Sequence, residues 1–511
     1  MAFAFAGSFG PLGATLWRGR SAAGGSRSVF SAASVARIFG DHAKPVRVRA
    51  SDIDVLESPR EFYDCLLNGV RGARERVVFS TLYLGTTTEK EFDLIDSLGG
   101  AAGRGVRVSL LLDALRARRR QEGSGTIAET LASRLLLQGN GASTERPKIS
   151  LYHTPTLKGI LKSVVRPPFS EILGVCHMKA YVFDDTVVMS GANLNEKYFT
   201  SRQDRYIAFR SPELADVVAS VVGLVSKHSY RLSPEGDLGG PPSGIDPLTS
   251  PGSFARSLCH DLRRALDPSQ DPSTAIASVP DDHALVFPMA QLGCIGYRQE
   301  ERAMAAFLSA LGAARPPFSP PPRLMVSSGY LNIARALERG ISRSEARVDF
   351  LTAAPEASGF YKAAGSAGAD LKALIPHVYQ NLSHESMRRL GRTRARLHEY
   401  KRPGWQFHAK GVWFGLGESL CAEVSKASKG DLGAGGLTMI GSSNYNERSY
   451  ERDLELSFAV VGTSGGDLGA RLEAEARALF KYAREKEEAQ KNPKKDRLLV
   501  SLASKLCRMW M

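Results

Sequence analysis

Apolar positions along this chain follow two periods. Phe62, Leu66 and Val70 recur at helical spacing within 57–75, and RVVFSTLYLG (76–85) is a β-branched and aromatic run of strand length. EKEFDLIDSLGGAAGRG reads next as a helix closed by glycines, and RVSLLLDALR (107–116) as a nearly continuous apolar strand. Strand, helix, strand at this spacing predicts a βαβ unit around a buried parallel sheet. KISLYHTP (148–155) predicts a further strand, KAYVFDDTVVMSG (179–191) a hairpin turning at Asp184-Asp185, and 211–228 a helix.

The same order then begins again. A helix-like segment at 295–311 matches 57–75, and RLMVSSGYLN (323–332) matches RVVFSTLYLG. A helix through 333–340, RVDFLTAAP (347–355) and ARLHEY (395–400) match the elements that follow. This order implies an internal duplication, with two similar α/β domains, each a mixed sheet flanked by helices. The domains are expected at 50–231 and 286–480, separated by a Pro/Gly/Ser-bearing linker or variable region at 232–285. Residues 415–436, polar and glycine-rich, read as a loop protruding from a hairpin turn. Residues 481–497 read as a charged helix, opening a basic amphipathic C-terminal tail that runs to 511. Either the tail seats on a membrane interface or it packs on its own domain.

Composition narrows the partners. A net charge of +14, from 67 basic and 53 acidic residues, favours nucleic acid, an anionic membrane or phosphorylated substrates. Basic loops occur without interleaved aromatics, so nucleic acid is not the expected partner. The six scattered cysteines include no C-x-x-C pair, which points to neither a disulfide framework nor a zinc site. Residues 1–40 lack Asp and Glu but carry Arg18, Arg20, Arg27 and Arg37 among Ser, Ala and Gly. That is the composition of a mitochondrial presequence, drawn here at 1–45; a disordered basic tail is the alternative. No window approaches the roughly 20 apolar residues that span a bilayer. Any membrane contact is therefore expected to be peripheral.

The chemistry concentrates in two segments. CHMKAYVFDDTVVMSGANLNEKYFTSRQDRY (176–206) places His177, Lys179 and Asp184 in the pattern H-x-K-x4-D, with Asn193 downstream. FHAKGVWFG (407–415) and LTMIGSSNYNERSYERDLE (437–455) repeat it with His408, Lys410 and Asn444. Alternate residues of an extended segment share a face, so each H-x-K puts an imidazole and an ammonium on one surface. Two imidazoles can divide nucleophilic and acid–base work. Two cations and two side-chain amides suit a phosphodiester, whose transition state spreads negative charge over non-bridging oxygens. Bound Mg²⁺ is then unnecessary, and neither a metal nor another cofactor is expected. Asp204 lies eleven residues after Asn193 and Glu455 eleven after Asn444. Both are candidates to hydrogen-bond and orient an imidazole, with Asp453 a competitor for Glu455. His153 and His398 are expected to be structural.

These motifs resemble the phospholipase D superfamily. Within it, HMKAYVFDDTVVMSGANLNEKYFTSRQDRY, TAAPEASGFYKAAGSAGA, YKRPGWQFHAKGVWF and IGSSNYNERSYERDLE look like the eukaryotic mitochondrial phosphatidylglycerophosphate synthases. The resemblance covers about 57–230 and 290–480. It implies one active site shared by two phospholipase D-like domains. It further implies transfer of a phosphatidyl group from CDP-diacylglycerol to sn-glycerol 3-phosphate, on the mitochondrial inner membrane. By the superfamily's logic His177 is the nucleophile and His408 the acid–base partner, and Lys179, Lys410, Asn193 and Asn444 hold phosphoryl oxygens. Asp184 belongs to the catalytic signature by the same resemblance, although Gly415 stands at the equivalent place in the second motif and similar synthases also lack that aspartate. A carboxylate there supports Lys179 or the hairpin turn instead. Cardiolipin synthase, phosphatidylserine synthase, phospholipase and nuclease activities fit the same motif pair. Acyl preference and oligomeric state are not encoded in these motifs.

Overall fold

A computed structural model describes residues 32–485, except 121–124, 138–145, 158–168, 269–279, 281, 314–321, 345, 362–374, 392, 416–435 and 463–466. Two large sheets dominate it. In spatial order, the first comprises Leu238–Gly239, Tyr230–Leu232, Lys148–Tyr152, Arg107–Asp113, Arg76–Ser80, Ala180–Phe183, Thr186–Ser190, Tyr206–Arg210 and Ile53–Leu56. The second runs Ala483–Glu485, Ala395–Tyr400, Arg347–Ala353, Arg323–Ser327, Gly411–Phe414, Leu437–Gly441, Glu455–Gly462, His283–Leu292 and Val46–Arg49, with Tyr297–Arg298 paired at its side. From Lys148–Tyr152 to Ile53–Leu56 in the first sheet and from Ala395–Tyr400 to His283–Leu292 in the second, the order matches strand for strand. In each sheet three neighbouring strands are parallel, fed by βα crossovers, and the others are antiparallel. The duplication and the mixed sheets follow the sequence expectation.

The parallel strands are rich in apolar residues because helices cover both faces: in the first sheet Pro59–Gly72 and Glu89–Gly103 lie on one side and Pro212–Lys227 on the other. Phe62, Leu66 and Val70 on the helix Pro59–Gly72 sink into the first core with Val77, Phe79 and Leu94. A second core lies between the sheets. There Val182, Val187, Met189 and Phe209 meet Val286, Ile440, Leu456 and Phe458, and the Phe209 and Phe458 rings stand 5.5 Å apart, edge to face. The two domains thus bury their inner faces on each other, which fixes how their strand ends meet.

Several boundaries differ from expectation. Residues 32–40, assigned to the presequence, form a helix whose Val35, Ala36 and Phe39 are buried in the core of the second domain. Val46–Arg49, just after it, pairs with His283–Leu292 at the edge of the second sheet. The expected boundary at 285/286 cuts that strand, which pairs along eight positions with Glu455–Gly462. Within the linker region SFARSLCHDLRRAL, helix-like by sequence, is indeed a helix, Pro251–Leu266, but it packs into the core between the sheets. Ala483–Glu485, expected to be helical, is an antiparallel strand against His398–Tyr400. The remainder of the C-terminal tail and most of the 415–436 insertion lie outside the described residues. Among the described residues, no helix is long and apolar enough to cross a membrane.

Candidate active site

The two domains are stitched together by the segments that carry the histidines. Gln406–Phe407 pairs in parallel with Arg202–Gln203, and the His408 backbone N–H donates to the Gln203 carbonyl at 2.8 Å. In the other half, Cys176 bridges Leu454 in parallel, and the His177 N–H donates to the Leu454 carbonyl at 2.8 Å. Buried carboxylates hold the His177 segment at two further points. Asp113, at the end of its strand, accepts from the Cys176 N–H, and Asp453 accepts from the Val175 N–H.

This lacing crosses the histidine–carboxylate pairs. His177 Nδ1 lies 2.9 Å from Glu455 Oε2, and His408 Nδ1 lies 2.6 Å from Asp204 Oδ2. Each imidazole is therefore oriented by a carboxylate of the other domain. Nδ1–H donates to the carboxylate, which leaves Nε2 as the lone-pair nitrogen. The Glu455–Asp453 competition is settled by the same geometry. Glu455 faces His177, while Asp453 is held by Arg448 at 3.0 Å.

Lys179 and Lys410 each fold back on their own motif, with Nζ 2.7 Å from the carbonyl of His177 and of His408 respectively. Both ammonium groups are fully buried. Burial pulls Lys179 down to about 7 and Lys410 to about 8, against the attraction of Glu455 and Asp204. Burial also lowers His177 to about 4, although Glu455 opposes the shift. His408 falls well below the usual imidazole value through burial and the charges of Lys410, Arg202 and Lys179. Both imidazoles are accordingly neutral bases at neutral pH. Asp204 is pushed up to about 6 by burial, whereas in Glu455 the pull of His177, Lys179 and the Ser442 hydroxyl outweighs burial and brings it to about 2.

Asn193 reaches the His408 side of the site, where it donates its amide to Tyr198 Oη at 3.3 Å. The side-chain oxygens of Asn193 and Asn444 are buried, without a hydrogen-bond partner among the described residues. Asp184 is not part of the site. It sits at the far end of the strand Ala180–Phe183, where its carboxylate accepts from the backbone N–H groups of Arg74, Glu75 and Arg76 at 2.9–3.0 Å. Its φ is 47°, and Gly415, seven residues after His408, has φ 64°. The third letter of the motif marks a left-handed turn position in both halves, which Asn, Asp and Gly tolerate. This position favours the notion that Asp184 holds the hairpin turn, the alternative to its place in the catalytic signature. His398 pairs with Asp349 at 3.1 Å, and His153 Nδ1 lies 2.9 Å from the Thr154 carbonyl; both serve structure.

Sequence reasoning missed Tyr198, whose hydroxyl lies 3.1 Å from His408 Nε2, and Ser442, which donates to Glu455. Ser442 stands two residues before Asn444, a spacing at which the first motif has Gly191. His177, Asp453 and Glu455 also bring three potential metal-ligand atoms within 4.8 Å of one another. Of these, Glu455 Oε2 takes His177 and Ser442 and Asp453 takes Arg448 and Val175, while Glu455 Oε1 is buried without a hydrogen-bond partner among the described residues.

Two H-x-K segments meeting across paired sheets define a phospholipase D-like protein. Residues 66–222 match the family model "Cardiolipin synthase, PLD-like domain". The fold superposes on the phosphatidylserine synthase of Haemophilus influenzae Rd KW20 with a TM-score of 0.69, at 18% identity, over 94% of this chain and 99% of that one. Sequence similarity narrows the class. The chain is 31% identical over 471 residues to the mitochondrial CDP-diacylglycerol–glycerol-3-phosphate 3-phosphatidyltransferase of Gallus gallus, covering 85% of this chain and 78% of that protein. It is 30% identical to the Saccharomyces cerevisiae enzyme, covering 85% and 83%. The chain belongs to the CDP-diacylglycerol–glycerol-3-phosphate 3-phosphatidyltransferase family.

Proposed function

We propose that this protein transfers the phosphatidyl group of CDP-diacylglycerol to sn-glycerol 3-phosphate, releasing CMP and forming phosphatidylglycerophosphate for phosphatidylglycerol and cardiolipin synthesis. The observation that carries the chemistry is the crossed pair of imidazoles, each with Nδ1 on a buried carboxylate and Nε2 directed away from it. His177 Nε2 attacks the diacylglycerol-side phosphorus, the P–O bond to CMP breaks, and a phosphatidyl-histidine forms. The charge that develops on His177 is stabilised by Glu455. CMP leaves as a phosphate anion and needs little proton donation, so a neutral His408 suffices in this step. His408 then takes the proton of the glycerol hydroxyl, whose oxygen attacks phosphorus as the P–N bond breaks. Asp204 stabilises the imidazolium so formed. Lys179 and Lys410 offset negative charge on the phosphoryl oxygens.

The protein acts in the mitochondrion, as the names of the vertebrate relatives suggest. We place it peripherally on the inner membrane, with contact to anionic lipid. Phe360 and Tyr361, 44% and 42% exposed, are aromatic surface groups suited to such an interface. A cleavable leader, on this reading, ends ahead of the buried helix Ala32–Gly40.

The test uses purified full-length protein with CDP-diacylglycerol vesicles and radiolabelled glycerol 3-phosphate. CMP release that depends on glycerol 3-phosphate, with label in the lipid fraction, is expected. Equal CMP release with water alone would rule out the transferase.

A further inference from the structure

We propose that Arg202 anchors the phosphate of the acceptor, and so selects a phosphorylated alcohol over other hydroxyl compounds at the His408 side of the site. The inference rests on the transferase reading above and adds the residue that recognises its second substrate.

Arg202 is held in place by its own strand. Its backbone is zipped to Gln406, and its Nε and Nη2 both donate to Gln406 Oε1, at 2.7 and 2.5 Å. The guanidinium carbon lies 4.6 Å from the centroid of the Tyr198 ring, and the hydroxyl of that ring reaches His408 Nε2. The Tyr330 hydroxyl and Arg202 Nη2 converge on Gly359, where an added Cβ would lie 3.1 and 2.8 Å from them. The cation is thus one aromatic ring away from the nitrogen that takes the acceptor's proton.

Its partners are all neutral. Several other arginines packed into this molecule have carboxylates: Arg116 has Glu171, Arg205 has Glu475, Arg389 has Glu338 and Arg448 has Asp453. Among the described residues no carboxylate lies within ion-pair distance of Arg202. A half-buried cation without a counter-charge is costly unless an anion completes it. Gln406 and Tyr198 fix the guanidinium without neutralising it, so its charge remains available to a ligand.

The duplication sharpens the point. Arg202 precedes Asp204 by two residues, and Asp453 precedes Glu455 by two. Where the His177 half carries an acid already paired with Arg448, the His408 half carries a base with no acid. The two substrates differ in the same sense. Glycerol 3-phosphate reacts through a hydroxyl at one end and carries a phosphate dianion at the other. With the hydroxyl on His408 Nε2, the phosphate lies across Tyr198 toward Arg202, where a guanidinium fork matches its oxygens.

The donor's diphosphate is the competing anion, and kinetics separates the two. In Arg202→Gln the KM for glycerol 3-phosphate is expected to rise about 100-fold, the loss of a charged hydrogen-bonded contact, while the KM for CDP-diacylglycerol moves by less than about threefold. Arg202→Lys should recover part of the loss. Gly359→Ala, which crowds Nη2 without removing it, should raise the glycerol 3-phosphate KM about 10-fold at an unchanged melting temperature. A rise confined to CDP-diacylglycerol, equal rises for both substrates, or a fall in kcat with both KM values unchanged would overturn the assignment. If Arg202→Gln does not fold, an unchanged glycerol 3-phosphate KM in Gly359→Ala overturns it. Failure of the wild-type protein to use glycerol 3-phosphate at all strikes the transferase reading instead, before any variant is made.

Discussion

The two halves of the active site descend from one pattern yet are tuned apart. In one, His177 rests on Glu455, whose Oε2 also receives the Ser442 hydroxyl. In the other, His408 rests on Asp204, and Gly191 stands where the second motif has Ser442; a Cβ there would lie 2.7 Å from Asp204 Oδ1. The hydroxyl helps keep Glu455 ionised far below neutrality, while Asp204, lacking it, is pushed by burial to about 6. A histidine that must carry a covalent phosphatidyl group benefits from a permanent counter-charge. A histidine that must take a proton and release it benefits from a carboxylate whose charge is held less firmly. On the proposed roles, the duplication supplies the frame, and the residues beside each carboxylate divide the labour.

The largest effects test the division itself. His177→Ala and His408→Ala are each expected to lower kcat by about 10⁴-fold or more, as removing a member of a catalytic pair does. Protein exposed to CDP-diacylglycerol labelled in its phosphatidyl part, then denatured in detergent at mildly alkaline pH where a P–N bond to imidazole survives, should retain label in His408→Ala and lose it in His177→Ala. The reverse pattern would exchange the two roles.

Next in size are the carboxylates. Glu455→Gln and Asp204→Asn should each cost about 10³-fold, because the imidazole loses both its orienting partner and its counter-charge. Their pH profiles should differ. In the wild type, protonation of Asp204 removes its charge as pH falls through about 6, so the rate falls on the acid side. Loss of the ammonium charge, at about 7 for Lys179 and about 8 for Lys410, lowers the rate on the alkaline side. Asp204→Asn should abolish the acid limb, and Glu455→Gln should leave it in place. Ser442→Ala is milder, about 10-fold, the scale of one hydrogen bond to a charged group. It should not move the acid limb, since Glu455 starts from about 2. A limb displaced upward in Ser442→Ala would mean that Glu455, not Asp204, is the group titrating.

Much of this was legible in the sequence, for stated reasons. The H-x-K pairs, the asparagines and the equal eleven-residue spacing to Asp204 and Glu455 are local patterns, and strand order follows apolar periodicity. The crossing of the carboxylates was not legible. It arises from parallel pairing between segments more than 200 residues apart, Gln406–Phe407 on Arg202–Gln203, which no local pattern records. The strand His283–Leu292 is cut by the expected boundary because a polar stretch runs up to about 282, and composition alone does not show that the strand begins directly after it. By sequence the buried helix Ala32–Gly40 reads as part of a leader, because both are built from Ala, Ser and scattered arginine. Phe39, packed 6.0 Å from Phe287, distinguishes them only once the fold is known. Arg202 looked like one basic residue among many; what marks it is the lack of a neighbouring carboxylate, a property of the assembled site.

The smallest effect on activity is expected where the superfamily signature looks strongest. Asp184 completes the first motif, and Gly415 replaces it in the second with the same left-handed backbone. Asp184→Gly therefore makes the first turn like the second without backbone strain. It removes three acceptor contacts to Arg74, Glu75 and Arg76, so stability should fall by about 1–3 kcal/mol, read as a lower melting temperature, while kcat/KM stays within about threefold. The pH dependence of the loss gives a second check. Burial alone would raise the Asp184 carboxyl, but the three backbone N–H groups and Arg76 outweigh it and hold the group below its ordinary value of 3.8. A depressed carboxylate contributes its stability above the unfolded value and loses it as pH falls through the folded one. The gap in melting temperature between wild type and Asp184→Gly should accordingly be full at neutral pH and narrow below about pH 4. A large loss of kcat at full stability would instead return Asp184 to the catalytic machinery and make Gly415 the mark of an incomplete second half-site.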